Sequence, residues 1–327
     1  MHTRRAGLTL TLLVAASAAR GTARELELLG EHALSGAREG VRYTGVLVLG
    51  PDARARFTRR FADGREEQRE GQARIEGVQL VLREGGDVRA YALDTGPSEQ
   101  RWSWHAGADH ETLLRRVERE NVRDFLGRLA RDGRPLRWLL QKNRGTLERG
   151  SERWIQRSRQ PSPRDIDAFR RAGGKTVLSL NGDQDEDVQD LRPERLLRLQ
   201  DPRGEPVNLH EYIEAQGLEH VSVGMSAQRA PSDEELLAVF RVLLDDARRP
   251  VLVHCQGGSD RTGVICALYA HEFLGVSKAE AKATMRRHLW AAVGGTEIQG
   301  AYLDLYPTGR LRALLAEAGV EVPARYR

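Results

Sequence analysis

Cysteine is almost absent from this chain: of 327 residues, only Cys255 and Cys266 carry a thiol. Two cysteines cannot form the framework of several bridges that stabilises small secreted domains. If the chain between them is mostly helical, they lie about 16 Å apart at a rise of about 1.5 Å per residue, which is too far for a disulfide. Both are therefore expected to be free thiols, and Cys266, in an apolar helical stretch, is predicted to lie in the core.

Blocks of like charge and long apolar runs are missing as well. Charged residues make up 30% of the chain and the net charge is +4, but the arginines alternate with acids, as in residues 65–70. This pattern predicts solvated faces and no nucleic-acid partner. The apolar run near the N-terminus is shorter than the about 20 residues that span a bilayer, so no stable membrane insertion is expected. The length leaves room for two globular domains.

The N-terminal residues have the composition of a secretory signal peptide. A charged region with Arg4 and Arg5 precedes the short apolar run of residues 6–16, and Ala16-Ser17-Ala18 fits the small-residue cleavage rule. Residues 1–24 are therefore predicted to direct export, to the periplasm or out of the cell. The alternative is an uncleaved apolar helix on a cytoplasmic protein.

The next part of the chain is predicted to be β-rich. Short runs of β-branched and aromatic residues are separated by Gly-Pro-Asp, Asp-Gly and Gly-Gly turn signals. They predict a small antiparallel domain at residues 25–105, of unknown role. From Asp109 to about Arg131 apolar residues recur three or four apart, which predicts a helix. Residues 106–150 are therefore predicted to be a helical connector.

Residues 151–327 alternate between strand and helix signals. Ser162, Pro163 and Asp165 are typical of a helix start, and the apolar strand at residues 176–180 follows two glycines. Strand and helix alternation predicts an α/β domain with a parallel sheet and flanking helices, whose functional site lies at the carboxyl edge of the sheet.

The most informative stretch is residues 250–263, Pro-Val-Leu-Val-His-Cys-Gln-Gly-Gly-Ser-Asp-Arg-Thr-Gly. It predicts a buried strand, a glycine-rich loop and a buried helix. A loop of this kind at a helix N-terminus points backbone N–H groups into one concavity that attracts anions. The same field favours a thiolate at Cys255, and Arg261 can bind two phosphate oxygens. A buried cysteine beside a glycine turn is the alternative, but it leaves Arg261 unexplained.

His254-Cys255, five residues and Arg261-Thr262-Gly263 resemble the signature of the cysteine-dependent protein tyrosine and dual-specificity phosphatases. The wider segment from Trp154 to Phe273, which opens with Arg-Ser-x-Gln-Pro-Ser, resembles the bacterial members. The resemblance implies that Cys255 is the nucleophile and forms a phosphocysteine, while Arg261 holds the phosphoryl oxygens.

The same resemblance implies roles for the neighbouring residues. His254 would tune the thiolate, and Thr262 would donate a hydrogen bond to the sulfur as it leaves. A strand-end histidine and a helix-capping threonine are the alternative interpretations of these two. No cofactor and no metal are expected. The substrate-binding residues are the consecutive loop positions Gln256, Gly257, Gly258, Ser259, Asp260 and Arg261.

The proton donor departs from the family pattern, because the loop at residues 224–231 contains no acid. Asp260 is the favoured general acid, since Asp-Arg-Thr at this place is similar to myotubularin-type phosphatases. Asp233 is the alternative, although its position in the first turn of a helix is explained by the helix dipole alone.

The substrate is predicted to be a phosphorylated protein or a small phosphomonoester. A loop without lysine favours a singly phosphorylated group such as phosphotyrosine, with a phosphoinositide or another small phosphomonoester as the alternative. Two further hypotheses are a non-catalytic module that binds phosphoprotein, and thiol chemistry such as sulfur transfer or arsenate reduction. The intact Cys255 and Arg261 disfavour the former, and the five-residue spacing with no resolving cysteine nearby disfavours the latter.

Overall fold

The structure is a computed structural model of the chain, and it describes residues 28–95, 99–116, 143–147, 154–182, 207–288 and 296–326. The predicted signal peptide and most of the predicted connector lie outside the described residues. The described chain forms two compact units. No helix in the described ranges is both long enough and apolar enough to cross a membrane.

The first unit is built on eight antiparallel strands that close into a barrel. They are β1 (Gly30–Arg38), β2 (Val41–Leu49), β3 (Arg54–Phe61), β4 (Glu66–Glu76), β5 (Gln79–Glu84), β6 (Asp87–Thr95), β7 (Glu99–Ala106) and β8 (Asp109–Arg116). Each strand pairs with the next, and β8 pairs back onto β1, with Leu113 opposite Leu34. The predicted antiparallel β-rich region is thus confirmed, and its closure into a barrel is a further feature.

Close approach of neighbouring strands depends on glycine. A Cβ atom on Gly45 would lie 1.9 Å from the Thr58 carbonyl oxygen, and one on Gly71 would lie 2.2 Å from that of Arg83. No side chain fits at either position without moving the backbone, so these glycines allow the strands to curve tightly.

The barrel encloses charged residues as well as apolar ones. Arg59, 1% exposed, donates two hydrogen bonds to the Glu84 carboxylate at 2.7 and 2.8 Å. Glu111, fully buried, accepts a hydrogen bond from Arg59 Nε at 3.1 Å and further ones from Tyr43 and Tyr91. Burial alone would raise the pKa of Glu84, but its hydrogen bonds and ion pair with Arg59 outweigh this and lower it.

The helix predicted from Asp109 is wrong for residues 109–116, which form β8. In β8 the side chains alternate, and Glu111 and Leu113 are completely buried. The strand pairs with β7 as well as with β1, which places His105 opposite His110. Leu113, Leu114 and Val117 are spaced in the sequence as in a helix. The pairing of β8 with β1 on one side and β7 on the other outweighs this local pattern.

After the barrel the chain alternates between strands and helices. In order these are β9 (Gly145–Thr146), β10 (Ile155–Arg159), α1 (Pro163–Arg171), β11 (Thr176–Ser179), α2 (Leu209–Ala215), β12 (Glu219–Ser222), α3 (Asp233–Leu244), β13 (Val251–Cys255), α4 (Arg261–Leu274), α5 (Lys278–Arg287), α6 (Ile298–Leu305), α7 (Arg310–Glu317) and a 3₁₀ turn (Ala324–Tyr326). Helix α6 and Gln228–Ala230 belong to the first unit, where α6 contacts β4. The predicted domain boundaries at 24, 105 and 150 stay predictions.

The second unit contains a five-stranded sheet in the order β12-β11-β13-β10-β9. Strands β12, β11, β13 and β10 are parallel, and β9 is antiparallel to β10. The central strand β13 is buried along its whole length, as the apolar run in the sequence predicts. One face packs on α1 and α2 through a cluster that includes Ile166, Phe169 and Leu252. The parallel arrangement brings the carboxyl ends of four strands to one edge.

Candidate active site

Strand β13 ends at Cys255, and helix α4 begins at Arg261. The predicted strand, loop and helix are confirmed. Cys255 is 2% exposed and Arg261 is 8% exposed, so both lie at the carboxyl edge of the sheet with little access to water. The loop of residues 256–260 connects them, and it leads directly into the N-terminus of α4, where unpaired backbone N–H groups favour an anion.

Gly258 is the residue that turns the loop towards the sulfur. Its backbone N–H donates a hydrogen bond to Cys255 Sγ over 3.3 Å, and its φ angle is +66°. A Cβ atom there would lie 2.5 Å from the Arg159 nitrogen and 2.6 Å from the Ser158 carbonyl carbon. Only glycine fits this conformation and this close approach.

Three consecutive carbonyls of the loop accept hydrogen bonds from residues outside the loop. The donor and acceptor pairs are Gln160 N to Gln256 O at 3.3 Å, Asn143 Nδ2 to Gly257 O at 3.1 Å, and Arg157 Nη2 to Gly258 O at 2.5 Å. In a trans peptide the C=O and N–H groups point in opposite directions. The N–H group of each of these peptide units therefore points away from the donor that binds its carbonyl. Gly258 N is an example: it shares a peptide unit with Gly257 O, and it donates to the sulfur of Cys255.

Arg261 is fixed by backbone carbonyls. Its Nη1 donates to Leu180 O at 3.1 Å, just after β11, and to Met225 O at 3.2 Å, in the segment after β12. In the described part of the chain no carboxylate pairs with this guanidinium, and its Nε has no acceptor. The positive charge is therefore positioned without being neutralised, and a bound phosphate would supply the missing acceptor.

His254, immediately before the nucleophile, and Thr262, immediately after the arginine, are completely buried. His254 and Thr262 both have zero exposure, and the His254 carbonyl accepts a hydrogen bond from Leu180 N at 2.8 Å. The Thr262 hydroxyl, on the first turn of α4, has no partner within the described ranges. Thr262 therefore has an unused donor in the helix that carries the arginine.

The two candidate acids occupy different places. Asp260 is partly exposed and immediately precedes α4, inside the loop. Asp233 is the first residue of α3, between the two members of the Ser232–Glu235 capping box, and its Oδ2 accepts a hydrogen bond from Arg310 at 2.8 Å. The structure thus places Asp260 on the loop and gives Asp233 an ion pair with Arg310 on α7.

The second cysteine lies in the core. Cys266 is 2% exposed on α4, and burial raises the pKa of its thiol against the opposing charge of Arg157. Both cysteines are free thiols. A raised pKa and lack of access leave Cys266 unreactive.

Sequence reasoning missed two side chains that build the site. Asn143 falls in the stretch predicted as a helical connector and has no predicted role, yet it is buried and also contacts Ser259 Oγ at 3.1 Å and the His288 carbonyl at 2.9 Å. Arg157 was given no role of its own. A charged residue at a buried position of a short central strand is the signal that could have identified it.

Among solved structures, TpbA of P. aeruginosa is 24% identical over 50% of this chain and 86% of its own, with a TM-score of 0.38. The core catalytic domain of the PP-IP phosphatase Siw14 of S. cerevisiae is 18% identical over 54% and 93%, with a TM-score of 0.39. Tk-PTP in its active form is 26% identical over 48% and 92%, with a TM-score of 0.35.

No curated protein matches this chain. The model of the tyrosine phosphatase family matches residues 117–283, which is more than half of the sequence and includes the loop from Cys255 to Arg261. The chain belongs to the tyrosine phosphatase family.

Proposed function

We propose that this protein hydrolyses phosphomonoesters through a phosphocysteine intermediate, with phosphorylated protein side chains, phosphotyrosine in particular, as its substrates. The observation that carries the proposal is the loop itself. Cys255 Sγ receives a backbone N–H, and Arg261 brings an unneutralised guanidinium to the other end of the same loop. A nucleophile and an anion-binding charge at opposite ends of one anion-binding loop suit phosphoryl transfer.

In the first step the Cys255 thiolate attacks phosphorus, so an S–P bond forms and the P–O bond to the leaving group breaks. The leaving oxygen takes a proton from the Asp260 carboxyl group, and the alcohol departs. Arg261 and the loop N–H groups bind the three equatorial oxygens, over which the charge is spread in the transition state.

In the second step water attacks phosphorus, the S–P bond breaks and inorganic phosphate leaves. The Asp260 carboxylate, now deprotonated, accepts the proton of the water, so the acid of the first step is the base of the second. The departing sulfur regains its charge, and the buried Thr262 hydroxyl, which has no partner in the described structure, is a suitable donor to it.

The assignment of Asp260 over Asp233 is part of the proposal. Asp260 is favoured by its place on the loop between Cys255 and the first residue of α4. Asp233 is disfavoured because its carboxylate already pairs with Arg310 and complements the dipole of α3.

The substrate class follows from the side chains of the loop. Gln256, Ser259 and Asp260 provide no positive charge, so Arg261 is the one cation that the loop sequence offers to a phosphate. This favours a singly phosphorylated group over a polyanion. A phosphoinositide or another small phosphomonoester is the alternative substrate, and a non-catalytic phosphoprotein-binding module is the alternative function.

Activity on an aryl phosphate tests the proposal. The purified protein is expected to hydrolyse it without added metal and to be inhibited by vanadate. Cys255→Ser should lose turnover while still binding a phosphotyrosine peptide, whereas Cys266→Ser should stay active and controls for the loss of a thiol. Metal dependence, or turnover by Cys255→Ser, would refute the phosphocysteine route. Binding without turnover by the unmodified chain would favour the non-catalytic module.

The choice of acid is tested by a matched pair of variants. Asp260→Asn is expected to lower kcat for a phosphate ester with a poor leaving group by about 10²- to 10⁴-fold, the usual size of general acid catalysis. Asp233→Asn should change it little. The opposite ranking would assign the acid to Asp233.

We also propose that the protein is exported, with residues 1–24 removed. The phosphatase domain is proposed to span residues 151–327, after the β-rich domain. The charged and apolar pattern at the N-terminus supports the export. N-terminal sequencing of the protein from its native cells, after fractionation, tests it. A full-length cytoplasmic protein would refute it.

A further inference from the structure

Arg157 is a buried cation with almost no partners. It lies in β10 and is 2% exposed. Its Nη2 donates to Gly258 O, while its Nε and Nη1 have no acceptor in the part of the chain that the structure describes. None of the described carboxylates forms an ion pair with it. Burying a guanidinium in this way is costly unless an anion lies close by.

Arg249 is a useful comparison in the same unit, because it is equally buried, at 1% exposure. Its Nη1 donates to Tyr326 Oη at 2.9 Å and its Nη2 to Tyr269 Oη at 2.8 Å. Arg249 is therefore held by two tyrosine hydroxyls that lie outside the loop, whereas the hydrogen bond of Arg157 in the described structure is made to the loop itself.

The position of Arg157 relates it to the nucleophile. In the parallel register of β10 and β13, Arg157 lies beside Val253, two residues before Cys255. Alternate residues of a strand share one face, so Arg157, Val253 and Cys255 project to the same side of the sheet. From this side of the sheet the Arg157 guanidinium donates its hydrogen bond to Gly258 O of the loop.

The bond to Gly258 O fixes one peptide unit. This carbonyl belongs to the peptide that joins Gly258 to Ser259, so its N–H is that of Ser259. With the oxygen turned towards Arg157, the Ser259 N–H points the opposite way, into the concavity of the loop. If this peptide were turned over, its carbonyl oxygen would face a bound phosphate in place of the Ser259 N–H.

We propose that Arg157 is a positioning residue of the phosphate loop, which fixes the Gly258–Ser259 peptide with its N–H towards the bound phosphate and places a permanent positive charge behind it. The proposal deepens the proposed function and rests on it, because the bound phosphate is the anion that this buried charge lacks. The other charged and titratable groups of the loop and its flanks are His254, Cys255, Asp260, Arg261 and Cys266, with Arg159 beside Cys255 in β10, and replacement of Arg157 changes none of these residues.

The test is the binding of inorganic phosphate to the full-length protein, measured by calorimetry for Arg157→Met, Arg157→Gln and Arg157→Lys. Loss of one charged hydrogen bond is expected to weaken phosphate binding by about 10- to 100-fold in the methionine and glutamine variants. Lysine keeps the charge without the planar fork, so it should recover part of the affinity. Arg249→Met is the matched control, and it should lower the melting temperature while leaving the phosphate Kd within about 3-fold of the unmodified chain.

A folded Arg157→Met or Arg157→Gln protein that binds phosphate as tightly as the unmodified chain would overturn the proposal and leave Arg157 a structural residue. If methionine prevents folding, the glutamine variant decides, since it keeps a polar amide in the buried site but lacks both the charge and the length needed to hold Gly258 O. Turnover of an aryl phosphate is measured alongside. Phosphate binding without turnover by the unmodified chain refutes the proposed function alone, while a chain that binds no phosphate refutes both.

Discussion

The adjacent glycines of the loop provide a sharp test of its geometry. Gly258 has a φ angle of +66°, and a Cβ atom would approach the backbone of Ser158 and Arg159 to within 2.6 and 2.5 Å. Gly257 is different, since a Cβ atom there would come no nearer than 3.6 Å to Ser259 Oγ, which is ordinary contact. Replacing each glycine by alanine adds the same methyl group at neighbouring positions.

The expected effect at Gly258 has two parts. A residue other than glycine in the left-handed region costs about 1–2 kcal/mol. The overlap with β10 backbone cannot be relieved by a side-chain movement, so the loop must shift, and a displacement of about 1 Å at a catalytic group lowers the rate by about 10²-fold. Gly258→Ala should therefore lose about 100-fold or more in kcat/KM and also the hydrogen bond to Cys255 Sγ.

The assay is steady-state hydrolysis of an aryl phosphate by the two variants and the unmodified protein, with the melting temperature of each. Gly257→Ala is expected to stay within about 5-fold of the unmodified kcat/KM. Equal losses in the two variants, or full activity in a folded Gly258→Ala protein, would refute the reasoning.

Three further outcomes follow from buried charges elsewhere. Glu111→Gln in the barrel removes the charge that pairs with Arg59 and is expected to lower the free energy of unfolding by about 3–5 kcal/mol, measured by urea denaturation. The pKa of Glu84 lies below its ordinary value of 4.5, so the stability that its ionised form contributes is fully present above pH 4.5 and is lost as the pH falls through the lowered pKa. Acid titration of the unmodified protein, followed by circular dichroism, should reveal this loss, and constant stability down to pH 2 would contradict it. Tyr326→Phe removes the hydroxyl that accepts a hydrogen bond from Arg249 Nη1 and is expected to lower the free energy of unfolding by about 1–3 kcal/mol, with phosphatase activity unchanged at temperatures where the protein stays folded.

The parts of the fold that local sequence determines were predicted well. Apolar runs and glycines define β13, the loop and α4, and α1 begins at Pro163 after Ser162, as the sequence predicts. Helix α6 was not predicted at all. Its residues are buried all round, so no amphipathic period marks it in the sequence.

The features that were missed depend on contacts between distant residues. β8 has a buried glutamate, Glu111, at an inward position where an apolar residue would have made the alternation visible. Its partners, the arginine and two tyrosines, come from β2, β3 and β6. Asn143 and Arg157 reach the loop from more than 95 residues away in the chain, and nothing in their own neighbourhood indicates that destination.

The ring of strands in the first unit has a consequence for how other molecules can bind it. β1 is hydrogen-bonded to β2 on one side and to β8 on the other, so the described strands leave no open edge. Addition of an extended peptide, a common mode of recognition by sheet proteins, requires such an edge, and so does the stacking of chains into fibrils. A molecule that binds the barrel strands therefore contacts their outward side chains, among which arginine and glutamate predominate on β3 and β4.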